Sequence, residues 1–301
     1  MNRTRIGARL ISTLCLLLVC AATVASAADD RPQASDSATT HTHLSDADWI
    51  ALFDQHTPLV DRQRALATIE QSPNLDDPQT LYMLGSIYHM GKDAPGAPVD
   101  ADPAKAVVYL GNAAIHGSVL AMAKMAEIKL AAGQYREAMN WAQIYAHYAP
   151  IAKQSGKIED SYLAELIHRI KDGLDASAMD GIMKDVRGFV FVYDTSIRTG
   201  IDGERLTNHL DMHSRTHYFQ PVINHERYVT AGMADYLLAF GPDGTVINAQ
   251  PVDSEPLPSV AITLLPSARQ MTTDKSSGHA LRYAWVPMLL GDMEYHLKDR
   301  H

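Results

Sequence analysis

Three histidines, His209, His213 and His217, recur at a four-residue spacing, and His225 follows them. On a helix that spacing sets three imidazoles on one face, an arrangement able to hold a zinc ion. The residues between the first two are Leu210, Asp211 and Met212, so the HExxH pattern that adds a general base to paired ligands is missing. The competing reading is packing or solvated histidines. His209, His213 and His217 are thus weak metal candidates, and a metal-dependent hydrolase built on them is the second alternative for function. Other chemistry has less to stand on. Ser196 and Ser214 lie in no G-x-S-x-G frame. Gly241-Pro242-Asp243-Gly244 reads as a turn, since no helix with an open N-terminus follows to cradle a phosphate. Asp76-Asp77 and Glu159-Asp160 read as solvated surface charge. No catalytic set is expected, and no cofactor.

The aromatic residues suggest binding instead. Tyr82, Tyr88, Tyr109, Trp141 and Tyr145 fall in a run of helices. Most are expected to pack between helices, and a minority to line a concave face where Tyr and Trp anchor a peptide. These five are the candidate partner-binding residues. Met122, Met125 and Met139 read as core or adaptable groove.

Composition narrows the class. The 301-residue chain carries 26 basic and 35 acidic side chains, a net charge of −9. Each phosphate contact needs a Lys or Arg, so nucleic acid is not an expected partner. Arg3, Arg5 and Arg9, the apolar run from Leu10 to Val24 and Ala25-Ser26-Ala27 have the three-part layout of a secretory signal over residues 1–27. The apolar run is shorter than the roughly 20 residues of a membrane span, and no later segment is apolar enough, so no transmembrane segment is expected in the mature chain. Both cysteines, Cys15 and Cys20, lie inside this signal, which leaves no thiol for a disulfide or a cysteine metal site. The expected location is periplasmic or secreted. The alternative is a lipid anchor through Cys20, although Val19 stands where such signals favour a small residue. Residues 28–43, rich in Ala, Asp, Ser and Thr, read as a disordered leader.

Helices must position the aromatic candidates. Trp49 to Gln71 reads as helical with an interruption at Pro58. Pro78 and Pro103 sit where a helix begins, and Gly91 and Gly117 where one ends. From 81 to 142 one helix-pair pattern occurs twice. The first copy reads Leu84-Gly85, Tyr88, Gly91, Asp102, Lys105-Ala106, Tyr109, Ala113-Ala114 and Gly117, and the second Met125-Ala126, Gly133, Tyr135, Glu137-Ala138, Trp141 and Ala142. Leu84 aligns with Met125 and Ala106 with Ala138. The length difference lies in the Pro/Gly-rich loop 92–103, which is reduced to Gly133-Gln134 in the second copy. This pattern resembles the Sel-one-like repeat, a relative of the tetratricopeptide repeat. The resemblance implies a right-handed superhelix that binds proteins or peptides. The second copy departs from the pattern at Ala126 and Lys129. Two copies are fewer than such stacks need alone, so flanking helices, including Glu159–Lys171 and Ala176–Val186, are expected to cap them.

At Arg187 the texture changes. Phe189 to Tyr193 is aromatic and β-branched, which predicts a strand, and a short helix is expected near Gly203 to His213. Met233–Phe240 reads as a strand, Gly241–Gly244 as a turn, Thr245–Val252 as the returning strand, Val260–Gln270 as a short helix and Leu281–Leu290 as a last strand, with Pro287 marking an edge or bulge. This order, carried by Phe240, Pro242, Asp243-Gly244, Val246, Val252, Ser254, Leu257, Ala261, Leu264 and Val286-Pro287, resembles the TonB C-terminal domain. The expected class is therefore α+β: an N-terminal α-solenoid of Sel-one-like, tetratricopeptide-type helix pairs over 44–186, a connecting segment 187–230, and a small TonB-C-like α+β domain over 231–301. The functional expectation is a non-enzymatic exported adaptor or scaffold that binds a protein or peptide through its repeats. The first alternative is an envelope component of a TonB-like transport system, in an outer-membrane or envelope complex.

Overall fold

Helix starts in the N-terminal half follow from side chains that cap free backbone N–H groups. Asp77 accepts from the Thr80 N–H at 2.7 Å and Asp102 from the Lys105 N–H at 3.0 Å. Each is followed by a proline at the first helical position, and Ser118 caps the next helix through Ala121. The computed structural model describes residues 51–71, 76–152, 157–204, 210, 212–214, 230–278 and 280–291, all within one unit spanning His41–His301. The expected signal and leader, and His209, His217 and His225, lie outside the described residues.

The helices are α1 (Leu59–Glu70), α2 (Pro78–Met90), α3 (Pro103–Ile115), α4 (Val119–Ala131), α5 (Tyr135–Tyr148), α6 (Lys157–Lys171) and α7 (Met179–Glu204). α2 packs on α3 and α4 on α5, α3 meets α4, and α6 and α7 pack against α5. The two expected helix pairs are present, with Leu84 and Met125 both buried in the core between them.

The strand predicted at Phe189 to Tyr193 is instead the middle of α7, and the boundary expected after residue 186 falls inside that helix. The reason is periodicity over a longer window. Ile182, Val186, Ile197 and Ile201 are buried and Val190 is half-buried, which marks one face of a 3.6-residue repeat. Packing of that face against the preceding helices outweighs the β propensity of five residues. The expected helical row of histidines is likewise corrected where it can be seen. His213 lies in a short strand, β1 (Met212–Ser214), and is exposed.

The C-terminal elements follow the expected order. β2 (Gly232–Phe240) turns at Gly241–Gly244 into β3 (Val246–Glu255), then come α8 (Pro258–Arg269), β4 (Met271–Thr273) and β5 (Arg282–Leu290). β2 is central in an antiparallel sheet of order β3-β2-β5, and β1 pairs with β4. Pro287 sits in β5, on the edge of that sheet, opposite Asp235. Pro266 lies inside α8 without ending it. The fold class is α+β, and among the described residues no helix is long and apolar enough to cross a membrane.

β2 is buried along its whole length because both sheet faces are covered. Met233 and Leu237 join Val252, Trp285 and the helical core. The alternate residues Ala234, Tyr236, Leu238 and Phe240 pack with Val260, Ala261, Leu264 and Ala268 of α8. The helices and the sheet therefore share one hydrophobic core.

α7 closes on α3 at Gly200, where a Cβ would run into the His116 carbonyl oxygen, whereas a Cβ at Gly188 on the same helix meets nothing within 4 Å. Gly200→Ala is expected to lower unfolding stability by about 2 kcal/mol through backbone displacement. Gly188→Ala is expected to raise it by about 0.5–1 kcal/mol through helix propensity. Urea unfolding of both variants checks the pair, and equal effects at the two sites would contradict this crossing.

Candidate functional site

Backbone periodicity gathers charged and polar residues from four elements. On α2, Tyr82, Ser86 and His89 follow at spacings of four and three, so they share the face turned to the sheet. On β3, Asp253 and Glu255 are two apart and face the same way. α4 supplies Lys124 and β2 supplies Asp235. Lys124, Asp235 and Asp253 each expose 0 % of their surface.

Every member has partners. Lys124 Nζ donates to Asp253 Oδ2 at 2.6 Å, to Ser86 Oγ at 2.7 Å and to Asp235 Oδ2. Tyr82 O–H donates to Asp235 Oδ1 and Ser86 O–H to Asp235 Oδ2, both at 2.8 Å. The Lys124 ammonium also lies 4.7 Å from the Tyr82 ring centroid. His89 Nδ1 is 2.8 Å from Asp253 Oδ1 and its Nε2 is 2.6 Å from Glu255 Oε1. Facing a carboxylate oxygen on each side, both ring nitrogens must donate, which only the imidazolium does.

Electrostatics agree with this geometry. Burial alone would push the Lys124 ammonium down, but Asp235 and Asp253 hold it well above the ordinary lysine range. Burial opposes charge on His89 too, yet the Asp253 and Glu255 carboxylates raise it to about 10. Burial favours a neutral Asp253, and Lys124 with His89 lowers it to about 2 nonetheless.

The Ser86–Lys124 contact is that of a Ser–Lys nucleophile, and its surroundings argue against that use. A lysine takes a serine proton only when it is neutral. In the resting cluster Lys124 is charged and donates to Ser86, and neither residue reaches solvent, so no external substrate can meet the hydroxyl.

Two further polar clusters tie neighbouring elements. Arg169 of α6 grips Glu127 of α4 with two bonds, at 2.9 and 2.6 Å, while Glu165 accepts from the Ala231 N–H at 2.9 Å just before β2. Near the α2/α3 pair, Lys105 Nζ is 2.5 Å from Glu70 Oε1, which also accepts from Tyr88 and Tyr109. A cavity of about 380 Å³ lies between the 53–56 segment and the sheet, where Leu237 and Ala239 are joined by Asn248 and Gln250.

The aromatic candidates are placed as follows. Tyr82 is buried against Asp235. Tyr88 stacks on Tyr109 with centroids 5.8 Å apart. Trp141 meets Phe189 edge-on at 5.5 Å. Tyr145 is buried edge-on to Tyr162 at 6.2 Å. Tyr82, Tyr88 and Tyr145 are buried, and Tyr109 and Trp141 are half-buried. Of the histidine candidates, only His213 is described.

Sequence reading passed over Lys124, Glu127 and Asp235. The signal was a charged residue set in an apolar run: Met122-Ala123-Lys124-Met125-Ala126-Glu127 on α4 and Met233-Ala234-Asp235-Tyr236-Leu237 on β2. Charges at such positions are almost never buried unless paired. Compared with protein-family models, curated proteins and solved structures, the chain matches none.

His89 binds its proton more tightly folded than unfolded, so its contribution is complete below about pH 6.5 and is lost as pH rises toward about 10. Asp253 acts at the other end: its contribution is present above about pH 3.8 and is lost as pH falls toward about 2. His89→Gln is expected to cost about 3 kcal/mol near neutrality, with the deficit shrinking as the medium turns alkaline. Urea unfolding from pH 6 to 10 measures this, and a pH-independent deficit would contradict the imidazolium assignment.

Proposed function

We propose that this chain is a non-enzymatic exported adaptor that binds a protein or peptide partner in the cell envelope. In this reading its helix pairs are Sel-one-like repeats of a short solenoid and its C-terminal part is a TonB-C-like domain. The close α2/α3 packing supports the first assignment. A Cβ at Gly85 would fall 2.5 Å from Leu110 Cγ, which gives a physical reason for glycine at that repeat position. The succession β2, turn, β3, α8, β5 supports the second.

The observation that carries the adaptor reading is on α7. Phe191 is 90 % and Val192 65 % exposed, beside Tyr193 and the partly buried Phe189, which rests on Trp141. Adjacent large apolar side chains left in water on a helix are a recurrent feature of protein contact sites. The sheet packs on α2, α4 and α6, so the exposed flank of α7 is where a partner would dock.

A photo-cross-linking phenylalanine analogue at 191 is expected to trap one adduct of discrete mass in intact cells, and the same analogue at Lys184, an exposed position on α7, is expected to trap none. Equal capture at both positions, or at neither, would count against this face. The mature N-terminus measured by mass spectrometry is expected at Ala28, and a lipidated Cys20 would replace that reading with an anchored one. The second reading, an envelope component of a TonB-like transport system, rests on the C-terminal element order. It predicts an outer-membrane transporter as the trapped partner.

A further inference from the structure

Lys124, Asp235 and Asp253 form a set with a reactive possibility that ion pairing alone does not use. An amine nitrogen and two carboxyl groups are in hydrogen-bond contact, none has solvent-exposed surface, and all come from different elements. Asp235 is further held by two hydroxyl donors, Tyr82 on Oδ1 and Ser86 on Oδ2, both at 2.8 Å. We propose that Lys124 Nζ condenses with Cγ of Asp235 to form an intramolecular amide cross-link, with Asp253 as the proton carrier.

The step balances within the cluster. One ammonium proton passes along the Nζ–Oδ2 hydrogen bond and leaves an amine beside a carboxylic acid. The nitrogen lone pair attacks Cγ, forming the C–N bond, and the carbonyl electrons move onto Oδ1, where the Tyr82 hydroxyl stabilises them. A second proton leaves the nitrogen for Asp253 and is returned to the Oδ2 hydroxyl. The Cγ–Oδ2 bond breaks, water departs, and Asp253 ends as the carboxylate it began as. Two protons leave nitrogen and two end on the departing oxygen, so no oxidant, reductant or co-reactant is needed.

The ion pair is the resting form and the amine–acid pair is its minor tautomer. The tautomers differ only in where one proton sits along a hydrogen bond, so their exchange requires no proton from bulk solvent. One passage is enough, because the reaction happens once per molecule. Holding the reacting groups together supplies an effective concentration on the order of 10⁵ M or more. The bond would join α4 to β2, positions 111 residues apart in sequence, in a chain with no cysteine after Cys20 to make a disulfide there.

The experiment is intact-mass measurement of the purified, folded full chain, followed by proteolysis and peptide mapping. The expected result is a mass lower than the sequence requires by one water, with a branched peptide joining the Lys124 and Asp235 segments that survives boiling in detergent. Lys124→Arg keeps the charge but offers no condensing amine, and is expected at full mass. Asp253→Asn removes the proton carrier and is expected at full mass. Asp235→Asn is expected to give the same bond with loss of ammonia in place of water. A folded wild-type chain that keeps its full mass after prolonged incubation overturns the proposal. So does a water loss that maps elsewhere, such as a succinimide at Asp243-Gly244, without the branched peptide.

Discussion

The fold assembles around a lysine ammonium buried between two carboxylates where helices meet sheet. Removing these charges from water is costly, and the cost is offset only if every polar atom finds a partner. Lys124 has three acceptors, and Asp235 receives Tyr82, Ser86 and Lys124. This requirement gives the interface an orientation as well as cohesion. A one-residue slip of β2 would turn Asp235 toward α8 and its apolar neighbours, away from every donor. Hydrophobic burial brings the layers together, and the charges permit a single register between them.

The same junction closes the helical layer. Two helix pairs by themselves leave a large apolar side uncovered. Here α6 and α7 cover part of it and the sheet covers another. Met233, Leu237, Val252 and Trp285 enter the same core as Leu84 and Met125. Glu127 with Arg169, and Glu165 with Ala231, extend the polar tie along the junction. The C-terminal sheet thus serves as a wall for the helices and receives α8 on its far side.

That arrangement shifts the proposed contact surface. Tyr82 and Tyr145 hold the interior together, and the hydroxyl of Tyr82 is committed to Asp235. Exposed apolar area collects on α7 around Phe191 and Val192. The adaptor reading therefore concerns the exposed flank of α7 and leaves the surfaces against the sheet as structure.

Much of the local architecture was legible in the sequence because local chemistry writes it. Asp77-Pro78 and Asp102-Pro103 announce helix starts, the glycine turn at 241–244 announces a hairpin, and Pro287 belongs on an edge. Phe189 to Tyr193 carries a strand signal because five residues report propensity, while the helix α7 is fixed by apolar contacts spread from Ile182 to Ile201. The charge cluster was legible only as misplaced charges in apolar runs. Which carboxylate would meet Lys124 depends on contacts 111 and 129 residues apart, and no spacing rule reaches that far. The sequence by itself determined most of the elements and the α+β class, since capping, turns and periodicity are short-range effects. Only the tertiary structure decided that the sheet covers the helices and that a lysine lies between two aspartates, because burial and pairing are properties of distant segments brought together.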